Sequence, residues 1–145
     1  MPIIDGQNNL AANAKIMTSG IRNNDDAKYG TQLLFDNKGE TAWQTNSNDT
    51  LCYLDFDFGK TISAACISLA EKGQIEGWNH WCNMKVKIRN SNNEDWKTIL
   101  EHNGTLGGPP ILSFKPIDAK FMRIEIQKDP SFVLQISELR IFSPI

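Results

Sequence analysis

The segment that decides the fold is Thr50–Phe58, TLCYLDFDF, because its second half alternates strictly between apolar and acidic residues. Successive side chains of a β-strand point to opposite faces, so Leu54, Phe56 and Phe58 share one face and the two aspartates between them share the other. A strand with one buried and one solvated face is typical of antiparallel sheets. The segment therefore predicts a half-buried antiparallel strand.

The same two-residue period recurs along the chain in three further segments: 84–89 (MKVKIR), 121–126 (FMRIEI) and 136–142 (ISELRIF). Weaker strand candidates lie at 62–69 and 111–114. A helical period is weak everywhere, and its best candidate is a single turn over Gly30–Phe35, just before the turn Asp36–Gly39. Short strands separated by turn residues predict an all-β sandwich or barrel.

Composition and charge restrict the class of protein. The chain has 145 residues, of which 40% are hydrophobic and 22% charged, and this suits one globular domain over residues 1–145. A net charge of −2 disfavours partners bound by phosphate neutralisation, so we expect neither nucleic acid nor insertion into a membrane. No signal peptide is visible at the start. Three cysteines without C-x-x-C spacing do not form a disulfide framework, and we expect Cys52 and Cys66 to be buried thiols.

The order of the motifs resembles a known family. The motifs are Asn9–Ala11, Phe35–Trp43, Tyr53–Gly59, Val86–Ser91 with Trp96 behind it, Phe121–Ile124 and Ile136–Phe142. Together they resemble a discoidin domain, also called the coagulation factor 5/8 type C domain, whose bacterial sugar-binding branch is carbohydrate-binding module family 32. The resemblance covers essentially the whole chain and implies a β-sandwich jelly roll of about eight antiparallel strands.

The resemblance also implies a structural calcium site between the first loop and the last strand. The side chains expected to bind the ion are Asp36, Thr41 and Glu138, and the expected carbonyl ligands are Leu33, Lys38 and Ser137. Such a mixture of carboxylate, hydroxyl and carbonyl oxygens is what calcium prefers. The alternative is an Asp that caps its own turn and a Glu paired with an Arg.

An aromatic loop, Gly77–Asn83 (GWNHWCN), precedes a predicted strand. Proteins bind sugars with aromatic platforms flanked by side chains that donate and accept hydrogen bonds, and Trp78, Asn79 and His80 supply that set. The resemblance implies that this loop lies at the ligand end of the sandwich. Trp81 is a further candidate, although its position next to the strand suits it better to cap the core.

Two other loops are expected at the same end. One carries Arg22 and Tyr29 and the other carries Phe132, and each is alternatively a solvated turn. Trp43 and Trp96 fall at positions that the family uses for packing, so both are expected in the core. His102 is expected in a surface turn.

These residues favour a binding module over an enzyme, because no nucleophile elbow, metalloprotease motif or phosphate loop occurs. The first hypothesis is a carbohydrate-binding module for a terminal hexose or N-acetylhexosamine. The resemblance favours a galactose-type sugar, and it implies attachment to a larger, secreted or surface-bound bacterial glycan-active protein. The alternative is a protein-interaction or adhesion discoidin domain without sugar affinity. A phosphatidylserine-binding type is disfavoured by Asp25 and Asp26 in a rim loop.

Overall fold

The computed structural model describes residues 8–72, 80–104 and 111–145. Within these ranges seven strands form, and every pairing between them is antiparallel. The strands are β1 (Lys15–Thr18), β2 (Trp43–Gln44), β3 (Leu51–Glu71), β4 (Cys82–Arg89), β5 (Lys97–Gly104), β6 (Ile111–Lys128) and β7 (Gln135–Phe142). The two predicted segments at 50–58 and 62–69 are parts of β3, and those at 111–114 and 121–126 are parts of β6. Strands β1, β2 and β5 were not predicted, because they lack a clear apolar alternation.

The two long strands β3 and β6 bend, and each contributes to two layers. The first part of β3 pairs with β1 and with the second part of β6, which in turn pairs with β4, and β4 pairs with β5. The end of β3 pairs with β7, which pairs with β2. The bend in β3 follows a register shift between Asp57 and Ile62 and includes Gly59, whose φ of +74° suits glycine. The first part of β6 pairs with the end of β3, on the side opposite β7. We call β1–β3–β6–β4–β5 the front layer and β6–β3–β7–β2 the back layer. The predicted all-β jelly roll is confirmed.

The core follows the predicted alternation. Leu54 and Phe56 are buried, while the aspartates beside them are partly exposed on the outer face of the front layer. Trp43 is fully buried and its Nε1 donates to the Gly20 carbonyl at 3.2 Å, so its predicted core position is confirmed. Removing so large a buried side chain costs about 3–5 kcal/mol of stability.

The three cysteines are free and buried. This confirms the prediction for Cys52 and Cys66, and Cys82 at the start of β4 is buried in the same way.

The expected positions of Trp96 and His102 are wrong. Trp96 is only half-buried, because it lies outside the core and stacks on Arg89 and Arg123, whose Cζ atoms are 4.2 and 5.1 Å from its ring centroid. His102 does not lie in a surface turn. It belongs to β5 and is half-buried opposite Met84 of β4, because pairing with β4 extends the strand through the Asn and Gly that follow.

Helical structure in the described ranges is limited to single turns. One α-helical turn, α1, spans Asp26–Tyr29, and 3₁₀ turns span Leu10–Asn13, Arg22–Asn24 and Thr31–Phe35. The last of these confirms the predicted turn before Asp36. Across the described ranges no helix has the length and apolar character needed to cross a bilayer.

Candidate ligand-binding site at the start of β7

The back layer brings three chain segments together where β7 begins. Ile136 of β7 pairs with Trp43 of β2 on one side and with Glu71 of β3 on the other. One residue earlier, Gln135 pairs with Gln44, and its carbonyl accepts the backbone N–H of the residue after Glu71. The ends of β2 and β3 therefore lie beside the segment that leads from Phe132 into β7.

A buried carboxylate fixes His80 at this place. Glu71 is 5% exposed, and its Oε1 accepts the backbone N–H of His80 at 2.8 Å. Its Oε2 lies 2.5 Å from Nδ1 of the same residue. Because an ionised carboxylate only accepts hydrogen bonds, Nδ1 carries the proton, and in the neutral imidazole Nε2 is the acceptor. These two hydrogen bonds fix the position of the ring. The His80 side chain is nevertheless 45% exposed, so the ring reaches solvent.

The ring of His80 stacks on Phe132. The two centroids are 4.2 Å apart and the planes differ by 14°. The structure thus brings together two of the predicted ligand-binding residues that are 52 positions apart in the printed sequence. The Glu71 contact fixes Nδ1 but still lets the imidazole turn about the Nδ1–Oε2 direction. Stacking on Phe132 limits this rotation.

The loop that carries Phe132 is fixed from below by Lys128, which is only 4% exposed. Its Nζ donates to three carbonyls, those of Phe132 at 2.6 Å, Ser47 at 3.0 Å and Asp129 at 3.1 Å. The same Nζ lies 4.8 Å from the Phe132 ring centroid. At the loop's exposed edge the backbone N–H of Ser131 donates to Asp129 and lowers the pKa of that carboxyl. The 129–132 loop is therefore ordered by the Lys128 ammonium on its buried side and by the Asp129–Ser131 hydrogen bond on its exposed side.

Arg22 and Tyr29 lie together on the neighbouring segment. Arg22 Nη1 donates to Gln44 Oε1 at 2.8 Å, and its Cζ lies 5.2 Å from the centroid of the Tyr29 ring. Gln44 is buried and pairs with Gln135, so Arg22 is attached next to the start of β7. Arg22 and His80 are thus connected to adjacent positions of β7, through Gln44 and Glu71 respectively.

Three polar residues that order this site were not predicted from the sequence, namely Gln44, Glu71 and Lys128. A signal was present for two of them. Glu71 continues the inward-facing alternation of Ile67 and Leu69, and Lys128 continues that of Ile126. A charged residue at an inward position of a strand must find partners, so such a position predicts a positioning role.

The other predicted residues of the aromatic loop have different outcomes. Trp78 and Asn79 lie outside the described residues. Trp81 is 60% exposed, so the expectation that it caps the core is wrong. Trp81 directly precedes β4. Because the Cys82 side chain points inward, the Trp81 side chain points outward.

Three of the predicted calcium ligands lie in one turn. Asp36 Oδ2 accepts the Thr41 hydroxyl at 2.5 Å, Asp36 Oδ1 accepts the Lys38 N–H at 3.0 Å, and the Lys38 carbonyl is 3.4 Å from the Thr41 hydroxyl. These hard oxygen donors fit calcium chemistry. The same contacts also fit the alternative of an Asp that caps its own turn.

The remaining predicted calcium ligands lie on neighbouring elements. Glu138 on β7 lies 3.8 Å from Arg140 as an ion pair. Ser137 donates its hydroxyl to the Ala70 carbonyl, and Leu33 lies in the 3₁₀ turn before Asp36. No group of three or more His, Cys, Asp or Glu residues that could bind a metal occurs in the described part of the chain. Calcium here would therefore depend on two carboxylates with hydroxyl and carbonyl oxygens.

The sequence pattern of the F5/8 type C domain family matches residues 15–139. The chain belongs to this family. The residues that build the site, from Arg22 to Ile136, lie within the matched range of this F5/8 type C domain. No curated protein sequence matches the chain.

Solved structures share the fold of this F5/8 type C domain. A Ruminococcus gnavus GH29 fucosidase in complex with fucose superposes with a TM-score of 0.84 and 24% identity, over 97% of this chain and 27% of the fucosidase chain. The chain therefore spans about a quarter of that enzyme. The Clostridium perfringens module CpGH89CBM32-5 in complex with GalNAc-β-1,3-galactose has a TM-score of 0.75 and 15% identity, over 94% of this chain and 100% of the module. A Paenibacillus chitosan-binding module from a chitosanase/glucanase has a TM-score of 0.72 and 18% identity, over 92% and 98%.

Proposed function

We propose that this domain is a non-catalytic carbohydrate-binding module for a terminal hexose or N-acetylhexosamine. A galactose-type sugar is favoured by the family resemblance. The observation that carries the proposal is His80, an exposed imidazole that is stacked on Phe132 and bonded twice to a buried carboxylate. A surface histidine with no ligand would gain little from such ordering, which costs side-chain entropy.

The ordered groups suit sugar hydroxyls, which both donate and accept hydrogen bonds. His80 offers Nε2 as an acceptor, and Arg22 offers the N–H groups that Gln44 does not use. Phe132 orients the imidazole by stacking. Trp78 and Asn79 stay as predicted contacts, with Trp78 stacking on the apolar face of the sugar ring. Binding of one sugar at a shallow surface is expected to be weak, with Kd in the high-micromolar to millimolar range.

The domain would serve a larger protein. We propose that it is part of, or tethered to, a secreted or surface-bound bacterial glycan-active protein, where it raises the local concentration of substrate. The architecture of the R. gnavus fucosidase, in which a region of this fold is about a quarter of the chain, supports this role.

A calcium ion is proposed as a structural component. Asp36, Thr41 and Glu138 would bind it with the carbonyls of Leu33, Lys38 and Ser137. Its effect would be to fix the loop after Phe35 against β7, on which Ser137 and Glu138 lie. Sugar binding itself is expected to be independent of calcium.

The test is a titration of the domain with galactose, N-acetylgalactosamine and N-acetylglucosamine, followed by NMR and calorimetry. His80→Ala is expected to abolish detectable binding and to lower Tm while the domain stays folded, because the buried Glu71 carboxylate loses its Nδ1–H donor. His102→Ala, the other histidine, is the matched control and should bind as the wild type does. If no sugar binds the wild type, the proposal is wrong and the protein-interaction alternative takes its place. If His80→Ala binds sugar as the wild type does, the domain is a sugar-binding module but His80 is not part of its site.

A further inference from the structure

A groove lies on the outer face of the front layer, outside the site described above. It has a volume of about 510 Å³ and is lined by Trp81, Asn83, Lys85, Glu101, Asn103, Gln127, Lys128 and Asp129. This volume is within the range of small-molecule sites. Trp81 is 60% exposed at one end, and its indole passes close to Gly104, where an added Cβ would be 3.8 Å from two indole atoms. An aromatic ring therefore stands over one end of a polar groove.

The floor of the groove contains a row of amides. Asn83 of β4 pairs with Asn103 of β5 on one side and with Gln127 of β6 on the other. Asn83 Nδ2 donates to Asn103 Oδ1 at 2.5 Å and to Glu101 Oε2 at 2.8 Å. These contacts order the floor before any ligand arrives, which lowers the entropic cost of binding.

The chemistry of the lining favours a neutral, hydroxyl-rich ligand. Amides donate to and accept from hydroxyl groups, a carboxylate accepts from them, and an indole stacks on the C–H face of a sugar ring. The Lys128 ammonium is buried and bonded to carbonyls, so the exposed charges of the lining are Lys85 against Glu101 and Asp129. The groove therefore has no positive excess that would attract a polyanion.

Residues of the groove are directly linked to residues of the proposed sugar site. Trp81 directly follows His80 in the chain. Lys128 lines the groove, and its Nζ donates to the carbonyl of Phe132, on which His80 stacks. A glycan whose terminal sugar contacts His80 can therefore continue past Trp81 without leaving the surface.

We infer that this groove is a second subsite, which binds the penultimate sugar of a neutral glycan whose terminal sugar occupies the His80 site. The inference rests on the proposed function and deepens it, since the ligand is then an oligosaccharide and not a single sugar. Trp81 stacks on the second ring, and the Asn83–Asn103–Gln127 row binds its hydroxyls.

The experiment compares each monosaccharide with a disaccharide that carries it at the non-reducing end. The pairs are galactose with lactose, N-acetylgalactosamine with GalNAc-β-1,3-galactose, and N-acetylglucosamine with diacetylchitobiose. For the pair that binds, the disaccharide should bind the wild type about 5- to 20-fold more tightly than the monosaccharide. Trp81→Ala should remove this gain and leave monosaccharide affinity unchanged. Met17→Ala, which truncates another exposed apolar side chain of the front layer, should retain the gain.

NMR separates the two ways in which the inference can fail. Disaccharides, but not monosaccharides, should shift the Trp81 indole and the Asn83 and Asn103 side-chain amides. If monosaccharide and disaccharide shift only His80 and Phe132 and bind equally well, the subsite is overturned while the proposed function stands. If no sugar shifts any of these resonances, both are overturned.

Discussion

Glu71 and His80 form a two-point contact in which one buried carboxylate accepts both the backbone N–H and the Nδ1–H of the histidine, at 2.8 and 2.5 Å. The contact determines the position of the residue as well as the orientation of its ring. Glu71 itself is almost fully buried, so we expect it to act on a ligand by positioning His80.

Replacing Glu71 by Gln should therefore weaken sugar binding about 10-fold or more, although Glu71 touches no sugar. The amide can accept only one of the two hydrogen bonds, so the imidazole loses its fixed tautomer. Calorimetric titration with the sugar that binds the wild type measures the loss. Glu125→Gln, which changes a carboxylate paired with Lys87 on the front layer, is the matched control. Unchanged affinity in Glu71→Gln would show that His80 needs no positioning partner.

Lys128 should be important for stability and for binding at once. Lys128→Met keeps the side-chain volume but removes three hydrogen bonds to carbonyls, and should cost about 2–4 kcal/mol of unfolding free energy. Urea denaturation measures this cost. Lys85→Met, on the outer face of the front layer, should change stability by about 0.5 kcal/mol or less.

The same Lys128→Met variant should also bind sugar more weakly, because Phe132 is then no longer fixed under His80. Loss of the stacked geometry would appear as altered chemical shifts of both rings. If affinity is unchanged while stability falls, the 129–132 loop is ordered without Lys128.

Calcium should raise Tm if the proposed site binds it, since a ligand that binds only the native state stabilises it by mass action. Asp36→Ala should abolish this rise, whereas Glu40→Ala, an exposed carboxylate in the same loop, should retain it. Thermal unfolding after chelation, with calcium or magnesium added back, gives the readout. An identical Tm with and without calcium would instead support the alternative, an Asp36 that only caps its turn.

The buried thiols should be unreactive in the native state. Burial raises the pKa of the Cys52 and Cys66 thiols above their ordinary value. The thiolate is the nucleophile, so Ellman's reagent should react slowly with folded protein at pH 8 and with all three cysteines after unfolding in guanidinium chloride.

The same pKa shifts give a pH dependence of stability. A raised native pKa means that the native state retains protons that the unfolded state releases. The stabilisation is therefore complete below the unfolded thiol pKa of about 8.5 and is lost as the pH rises above it. Cys66→Ala should reduce this alkaline loss, as measured by urea denaturation across the alkaline range. In the thiol assay described above, rapid reaction of the folded protein with Ellman's reagent would show that these thiols are accessible.

Much of the fold was predictable because the apolar alternation is local. The segments around Phe56, Val86, Ile124 and Ile141 each show their buried face within a few residues. The sequence does not predict that two of these segments join into the single strand β3, because a glycine such as Gly59 is typical of a turn. The continuation depends on pairing with β6, which is distant in sequence.

The candidate site was predictable only in part. His80, Arg22 and Phe132 stood out by residue type in loops, but their contacts run through Glu71, Gln44 and Lys128. Those partners become visible only when the register of β2, β3 and β7 is known. The family resemblance predicts Trp96 in the core, and the position of the ligand candidate Trp81 next to β4 suggests that it caps the core. In the structure each covers polar or cationic groups on an outer face.

The bend in β3 and β6 makes the two layers share their backbone ladders. Neither layer can separate without breaking hydrogen bonds of the other, so we expect the two layers to unfold together. Hydrogen exchange at the central amides of both strands should then report global unfolding, with one free energy for both layers. A module attached to a large enzyme would accordingly be lost or retained as a whole under stress, and would not expose a half-open sheet edge to aggregation.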